Sequence, residues 1–446
     1  RARSPHAARA NRKQRVNSMA QGKQSGQEPP EKQPDKAATP IRLGPRPLPL
    51  HLSVAAATWM SSRAAWPFLK RGLLPTRPDL KSRAAALAAE LQTLPDELFD
   101  QALQKEIQSR SRDFIEGIAR YRRHSYQRTL TDPEVVWRDG TTRLLDYGKT
   151  SAKRAGPGRP LLMVPSLINR GYILDLSEDC SLLRWLADQG FHPYLVDWGA
   201  PGAEERQFTL TDYIAGRLEA ALDAVLARGG PPPILGGYCM GGLLALGLAL
   251  RRQKDLAGLA LLATPWDFSA GGAGQKATAL TSLAAHRWTM EVTGELPVDA
   301  IQALFAAIDP ENCLRKFLRF VALEQDSAGA RAFVALEDWL NDGVPLAKEV
   351  AQVCLGEWYG DNSPARGRWR LAGQVVDPGR LTLPSLCLVP AQDRIVPPGS
   401  ALALGEAIPA CQILRPPAGH IGMVVSRGAP EKVWRPLARW LTHSVA

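Results

Sequence analysis

The stretch Gly237-Tyr238-Cys239-Met240-Gly241 constrains this chain more than any other. It has the spacing of a nucleophile elbow, G-x-S-x-G, with cysteine in place of serine, a pattern that needs a buried strand, a tight turn carrying the nucleophile, and then a helix. The flanks supply all three. Pro231-Pro232-Pro233 leads into Ile234-Leu235, Gly236 and Gly237 permit the turn, and Gly241 and Gly242 remove side chains where helix and strands must approach closely. Leu243 to Leu246 continue as an apolar helix that ends near Arg251-Arg252. A thiolate attacks and leaves more readily than an alkoxide, and it forms an acyl thioester rather than an ester. A buried structural cysteine is the competing reading of Cys239, and glycines at elbow spacing on both sides weigh against it.

An elbow nucleophile needs an acid and then a histidine, each in a loop beyond a late strand. Pro384 to Pro390 reads as a buried strand with Asp393 in the loop after it, and Gln412-Ile413-Leu414 as a short strand followed by Pro416-Pro417-Ala418-Gly419-His420. Alone, Asp393 reads as a turn carboxylate and His420 as a structural loop histidine. Together, in the required order, Cys239, Asp393 and His420 make a catalytic triad the better reading.

Around these residues strands and helices alternate. A hairpin with an Asp139-Gly140 turn joins Val135–Arg138 to Thr142–Tyr147; strands at Leu161–Val164, Pro193–Asp197 and Leu259–Leu262 are interleaved with helices at Leu182–Gln189 and Thr211–Leu226. This order predicts an α/β fold with a doubly wound, mostly parallel sheet. From Trp266 to about Leu381 the pattern turns helical, with Pro297–Ile308, Leu314–Leu323 and Arg331–Leu340 as candidates, which predicts a cap over Cys239. By excluding water, a cap decides whether an acyl-enzyme is hydrolysed or passed to another acceptor. Helical spacing also runs from residue 50 to about 126, through Leu98, Phe99, Ala102, Leu103 and Ile107 and then Phe114, Ile115, Ile118 and Tyr121. The mixed segment Val54–Leu73, with Trp59, Trp66, Phe68, Arg63 and Lys70, suits either a lipid-like surface or packing on the main domain or a partner. The expected division is therefore a disordered basic tail at 1–50, a helical N-terminal region at 51–126, the first part of the core at 127–265, the cap at 266–381 and the second part of the core at 382–446.

At 446 residues and 45% hydrophobic, the chain has enough apolar residues for one large core and an accessory region. Residues 1–50 hold eleven Lys and Arg against three Asp and Glu, so eight of the formal +11 charges lie there. Their Pro, Gln and Ser content without apolar periodicity predicts a solvated, weakly anion-attracting tail rather than a nucleic-acid-binding one, since aromatics and recognition motifs are missing. Met19 is a candidate start, which would make residues 1–18 upstream sequence. Six scattered cysteines without metal-finger spacing fit reduced thiols and a cytoplasmic protein, and no metal site is expected. No apolar signal region is seen at the N-terminus. The uncharged run Gly229–Leu250 contains three prolines and seven glycines and reads as strand, elbow and helix, so no transmembrane segment is expected.

From about residue 130 onward the sequence resembles the polyhydroxyalkanoate synthases, members of the α/β-hydrolase superfamily, and is most similar to their short two-subunit type. The resemblance is carried by Pro160–Pro165 with Ile168-Asn169-Arg170 and Tyr172–Leu176, by Tyr194–Gly199 with its Asp197-Trp198-Gly199, and by the elbow and Thr264–Phe268. In the cap it rests on Glu337-Asp338-Trp339, Trp358-Tyr359 and Gly373–Asp377, and in the late loops on Asp393–Pro398 and Gly419–Gly422. It implies an acyltransferase that polymerises (R)-3-hydroxyacyl-coenzyme A with release of coenzyme A, the thioester being substrate and no cofactor being needed. Cys239 would carry the acyl group, His420 would act as general base, and Asp393 would orient His420 or help activate the incoming hydroxyl. The backbone N–H of Met240 and one from the Leu167–Ile168 turn would form the oxyanion hole. Implied partners are the polyester chain, a second synthase subunit or a homodimer, and the granule surface. Arg394 stands where the family often has histidine, and Met240 where the short type often has glutamine. A cysteine-nucleophile hydrolase and a non-catalytic granule-associated protein are the alternative readings.

Overall fold

The computed structural model describes residues 41–151 and 158–443. Eight strands form the main sheet: β1 (Glu134–Asp139), β2 (Thr142–Asp146), β3 (Arg159–Val164), β4 (Phe191–Asp197), β5 (Ile234–Tyr238), β6 (Gly258–Leu262), β7 (Ser385–Leu388) and β8 (Gln412–Leu414). Their spatial order is β1-β2-β4-β3-β5-β6-β7-β8. The pairings β1·β2 and β2·β4 are antiparallel, and all the others are parallel. β5 and β6 are buried at every position, as expected where helices cover both faces, and so they read as apolar runs rather than alternating strands. After β3 the chain steps outward to β4 and then returns to the other side of β3 to lay down β5. That reversal opens a crevice at the carboxyl ends of β3 and β5, where ligands of such sheets bind.

Upstream of the sheet lie three helices: α1 (Leu48–Lys70), α2 (Lys81–Gln92) and α3 (Asp96–Arg123). α4 (Leu182–Asp188) leads to β4, with the Ser181 hydroxyl accepting from the Arg184 N–H at its start. A π-wound segment, Asp212–Leu218, runs into α5 (Glu219–Leu226), and α6 (Met240–Arg252) follows β5. Between β6 and β7 come α7 (Gly272–Ala285), α8 (Arg287–Thr293), α9 (Val298–Ile308), α10 (Asn312–Val321), α11 (Ala328–Asn341) and α12 (Lys348–Gln352). α13 (Pro398–Ala407) joins β7 to β8, and α14 (Gly422–Val425) and α15 (Arg435–His443) close the described chain.

Several expectations need adjustment. The inserted segment is not purely helical: Glu295–Leu296 pairs with Leu346–Ala347, and Arg370–Leu371 with Gln374–Val375. The hairpin turn is one residue later than expected, because Asp139 pairs with Thr142 and leaves Gly140, at φ 54°, and Thr141 as its two turn residues. Val54–Leu73 lies largely within α1, where Ala55 and Trp66 are buried, Trp66 packs on Phe99 and Trp59 on Phe114. α3 in turn packs on α10 through Phe114, Ile118, Tyr121 and Phe317, and the approach is close enough that a Cβ at Gly117 would stand 2.7 Å from the Phe317 carbonyl oxygen.

The largest correction concerns residues 41–50, which composition assigned to the disordered tail. Arg42 is buried, with its guanidinium paired to both carboxylate oxygens of Asp338 (2.7 and 3.0 Å) and donating to the carbonyls of His124 and Tyr126. Arg122 donates to the carbonyls of Leu43 and Gly44 (both 2.9 Å) and Asn341 Oδ1 accepts from the Arg46 N–H (2.9 Å), so residues 41–47 form a strap tied to α3 and α11. A buried guanidinium is tolerated because each of its three nitrogens meets an acceptor, which local composition cannot reveal. The rest of the expected tail, residues 1–40, lies outside the described residues.

Candidate active site

The elbow forms at the carboxyl end of β5, and Cys239 carries its strain. Cys239 sits at φ 56°, ψ −130°, a conformation that costs a non-glycine residue of order 1–3 kcal/mol and is held here by the Cys239 N–H donating to the Leu262 carbonyl (2.9 Å). The flanking glycines make room rather than supply the turn. Gly236 and Gly237, expected in the turn, lie within β5; a Cβ on Gly241 would fall 2.1 Å from the Val164 carbonyl oxygen, and one on Gly242 1.8 Å from Thr264 Oγ1.

His420 lies in the loop beyond β8 and Asp393 in the loop beyond β7, and the structure brings them together. His420 Nδ1 donates to Asp393 Oδ2 at 2.7 Å with both groups buried, while Asp393 Oδ1 accepts from the N–H groups of Ile395 (2.8 Å) and Val396 (2.9 Å). With every oxygen of the carboxylate committed, its orientation is fixed. The Tyr238 hydroxyl donates to the His420 carbonyl (3.1 Å), tying that loop to the strand that presents the nucleophile. With Nδ1 committed to Asp393, Nε2 is the ring nitrogen left to serve Cys239, which lines the same cavity. Burial is the largest influence on His420 and opposes its charged form, but Cys239 and Asp393 outweigh it and the pKa is pushed up to about 10. Elsewhere burial pushes the Cys180 thiol up to about 11 and the Cys313 thiol to about 12, the behaviour of inert structural thiols.

Facing the elbow is the loop after β3, Pro165–Arg170. Trp198 donates from Nε1 to the Pro165 carbonyl (3.0 Å), Trp339 from Nε1 to the Arg170 carbonyl (2.7 Å), and the Val344 N–H to the Ile168 carbonyl (3.2 Å). Asp197-Trp198-Gly199 thus acts as a brace for this loop. Gly199 is needed at φ 69°, where a Cβ would meet the Thr141 carbonyl oxygen at 2.7 Å. The Ile168 N–H, one of the expected oxyanion donors, here donates to Ser166 Oγ (3.1 Å), while Leu167 is buried beside it and Met240 begins α6.

Cys239 and His420 line a cavity of about 370 Å³, roofed by Gln302 and Phe305 of α9 and Trp339 of α11. Ile168, Phe305 and Ile308 separate it from a second, mainly apolar space of about 450 Å³ bounded by Leu304, Leu355 and Tyr359. Among the described residues no group of three or more His, Cys, Asp or Glu is arranged to hold a metal ion.

Residues 159–426 match the model of the alpha/beta hydrolase fold, and residues 125–186 match the poly-beta-hydroxybutyrate polymerase (PhaC) N-terminus. The poly(3-hydroxyalkanoate) polymerase subunit PhaC of Synechocystis is 32% identical over 64% of this chain and 78% of its own length. That of Haloarcula marismortui is 30% identical over 70% of this chain and 68% of its own. The chain belongs to the poly(3-hydroxyalkanoate) polymerase family. With the polymerase subunit of Haloferax mediterranei it shares 31% identity over 70% of this chain, but the match spans only 64% of that protein. Within this polymerase-family chain the matched segments contain the elbow, the braced loop, Asp393 and His420. Residues 41–124 fall outside both.

Sequence reasoning missed three residues of the cavity wall, Pro45, Arg46 and His51, all from the strap and the first turn of α1. The one local signal was the change at Ile41 from polar low-complexity sequence to alternating Leu and Pro, Leu43-Gly44-Pro45-Arg46-Pro47-Leu48-Pro49-Leu50.

Proposed function

We propose that this chain polymerises (R)-3-hydroxyacyl-coenzyme A into polyhydroxyalkanoate through an acyl thioester on Cys239. The observation that carries the proposal is a cysteine elbow lining the same capped cavity as a hydrogen-bonded His420–Asp393 pair. Sγ of Cys239 attacks the thioester carbonyl, the carbon–sulfur bond to coenzyme A breaks, and the leaving thiolate takes the proton held on His420. The hydroxyl of a second hydroxyacyl group then attacks the acyl-Cys239 carbonyl, its proton passes to His420 Nε2, and the Cys239 thiolate leaves. Exchange of one thioester for another keeps the acyl group activated, so the first step needs no energy input. Asp393 keeps the imidazole in the tautomer that presents Nε2, and the N–H groups of Met240 and Leu167 are the donors we assign to the oxyanion, with Ile168 available if it releases Ser166. The cap helices α9 and α11 limit water, which favours ester formation over hydrolysis.

No helix among the described residues is long and apolar enough to cross a membrane. The same proposal places the chain at the cytoplasmic granule surface, with a second synthase subunit or a second copy of itself as partner.

Coenzyme A release from 3-hydroxybutyryl-coenzyme A, followed together with polymer turbidity, tests the reading. Polymerase activity gives both signals, and Cys239→Ala abolishes both. Free 3-hydroxybutyrate without polymer would make the chain a cysteine hydrolase. Neither product, with granule binding retained in Cys239→Ala, would make it a non-catalytic granule protein.

A further inference from the structure

We infer that Arg46, on the strap, binds a phosphate of the coenzyme A thioester and so makes residues 41–47 a substrate-recognition element. The inference rests on the coenzyme A reading above. Arg46 lines the same cavity as Cys239 although no part of the strap belongs to the hydrolase core. Its side chain is one-third exposed (33%), and its Nε donates to Asp299 at 2.8 Å. The two terminal amino groups make no hydrogen bond to described residues, so the planar edge suited to a phosphate is unspent. Arg394 lines the cavity too, its Nη1 pairing with Asp309 at 3.0 Å. Asp299 and Asp309 stand at opposite ends of α9, which holds the two guanidiniums apart at the cavity rim by about 15 Å of helix. Lys316, the remaining cavity cation near the strap, is already committed to the buried carboxylate of Glu337 (2.7 Å), and Arg170 reaches Asp342 at 3.6 Å.

To what holds the strap the Arg46 side chain adds only a solvent-exposed pair with Asp299, of a kind that contributes little. The Arg46 N–H donates to Asn341, its carbonyl accepts from His51 Nε2 (3.1 Å), and Arg42 and Arg122 anchor the residues before it. Arg46→Ala therefore removes the guanidinium and leaves the strap in place. A charge-assisted hydrogen bond to phosphate contributes about 1.5–3 kcal/mol, so its loss weakens binding by roughly tenfold or more.

The test compares wild type, Arg46→Ala and Arg46→Lys with two thioesters of the same acyl group, 3-hydroxybutyryl-coenzyme A and 3-hydroxybutyryl-N-acetylcysteamine, which has no phosphate. Binding of free coenzyme A and of pantetheine is measured by calorimetry alongside. The expected result is a KM for the coenzyme A thioester raised about tenfold in Arg46→Ala with kcat within twofold, partial recovery in Arg46→Lys, and no change in kcat/KM for the N-acetylcysteamine thioester. An effect that vanishes with 3′-dephospho-coenzyme A assigns the contact to the 3′-phosphate, and one that persists assigns it to the diphosphate. Equal losses on both thioesters, or none on either, overturn the inference. If the wild type turns over neither thioester, the polymerase reading fails; coenzyme A binding weakened about tenfold by Arg46→Ala, with pantetheine unaffected, would still uphold the phosphate site, and unaltered coenzyme A binding would remove it.

Discussion

Cys239, Asp393 and His420 hang from the carboxyl ends of β5, β7 and β8, three strands bonded into one sheet, whereas Arg46 hangs from a strap attached by side chains alone. At the first wall of the cavity, backbone geometry does the positioning: a strained φ at Cys239, two N–H groups on Asp393 Oδ1, and neighbouring strands that cannot slip without breaking the whole ladder. At the second, two buried or half-buried arginines reach for carbonyls and a carboxylate up to 296 residues away. The first arrangement is rigid enough for bond-making, where a misplacement of about 1 Å can cost about a hundredfold in rate. The second suits recognition, where affinity is tuned by charge and small displacements are tolerated. Damage to the sheet-borne wall should therefore appear in kcat, and damage to the strap in KM and stability.

Asp393→Asn gives the largest contrast. The amide presents N–H to His420 Nδ1 in one orientation and loses the charge that supports the imidazolium in either, so kcat should fall about a thousandfold or more. Stopped-flow release of coenzyme A measures it, and a decrease below tenfold would mean that Asp393 serves only as a turn carboxylate.

The same wall sets a pH dependence. A histidine whose folded pKa is raised above its unfolded value of 6.5 contributes stability that is fully present below pH 6.5 and is lost as the pH climbs through the folded value of about 10. Cys239→Ala removes one of the two groups that raise the His420 pKa, so His420 should release its proton at lower pH in the variant than in the wild type. Ring nitrogen chemical shifts followed from pH 6 to 10 read this directly. Coincident titrations would show that Cys239 does not support the charged imidazole.

These two regions also differ in how far they could be read from the sequence. The elbow, Asp393 and His420 were legible because each is marked locally, by glycines at fixed offsets or by turn residues just past an apolar strand, and because strand and helix alternation fixes their order. The cap helices Val298–Ile308 and Asn312–Val321 were visible by periodicity, yet the two-residue ladders elsewhere in the inserted segment were not, since two residues have no period. The strap was misread for a different reason. Arg42 looks like one more basic residue of a solvated tail, and nothing near it in sequence shows that Asp338, His124 and Tyr126 complete its hydrogen bonds. Buried cations satisfied at long range have no local signature; their partners exist only once the chain has folded.

Arg42→Met tests what that long-range anchor contributes. The substitution keeps the apolar stem but leaves Asp338 with the Tyr121 hydroxyl (3.0 Å) and strands the carbonyls of His124 and Tyr126. Because Asp338 is 29% exposed, water offsets part of the loss, and the expected cost is about 2 kcal/mol rather than the larger values of fully buried pairs. Urea denaturation should show it, together with a raised KM for the coenzyme A thioester as Arg46 loses its placement. A destabilised variant with unchanged KM would separate the anchor from recognition.

Asn341→Ala is the gentlest probe, because it touches only one hydrogen bond of the strap and no charge. Asn341 Oδ1 accepts from the Arg46 N–H at 2.9 Å while its Nδ2 donates to the Glu337 carbonyl at 2.7 Å, so the side chain bridges α11 to the residue proposed to hold phosphate. Losing it should cost about 1 kcal/mol in stability. The displacement of Arg46 should raise KM for the coenzyme A thioester about two- to threefold, a range set by the loss of well under 1 kcal/mol in binding. The phosphate-free thioester should be unaffected, since Cys239, Asp393 and His420 are held by the sheet and not by α11. If Asn341→Ala instead lowers kcat for both thioesters, then the strap and the catalytic loops are mechanically coupled, and the division between a rigid chemical wall and an adjustable recognition wall would have to be abandoned.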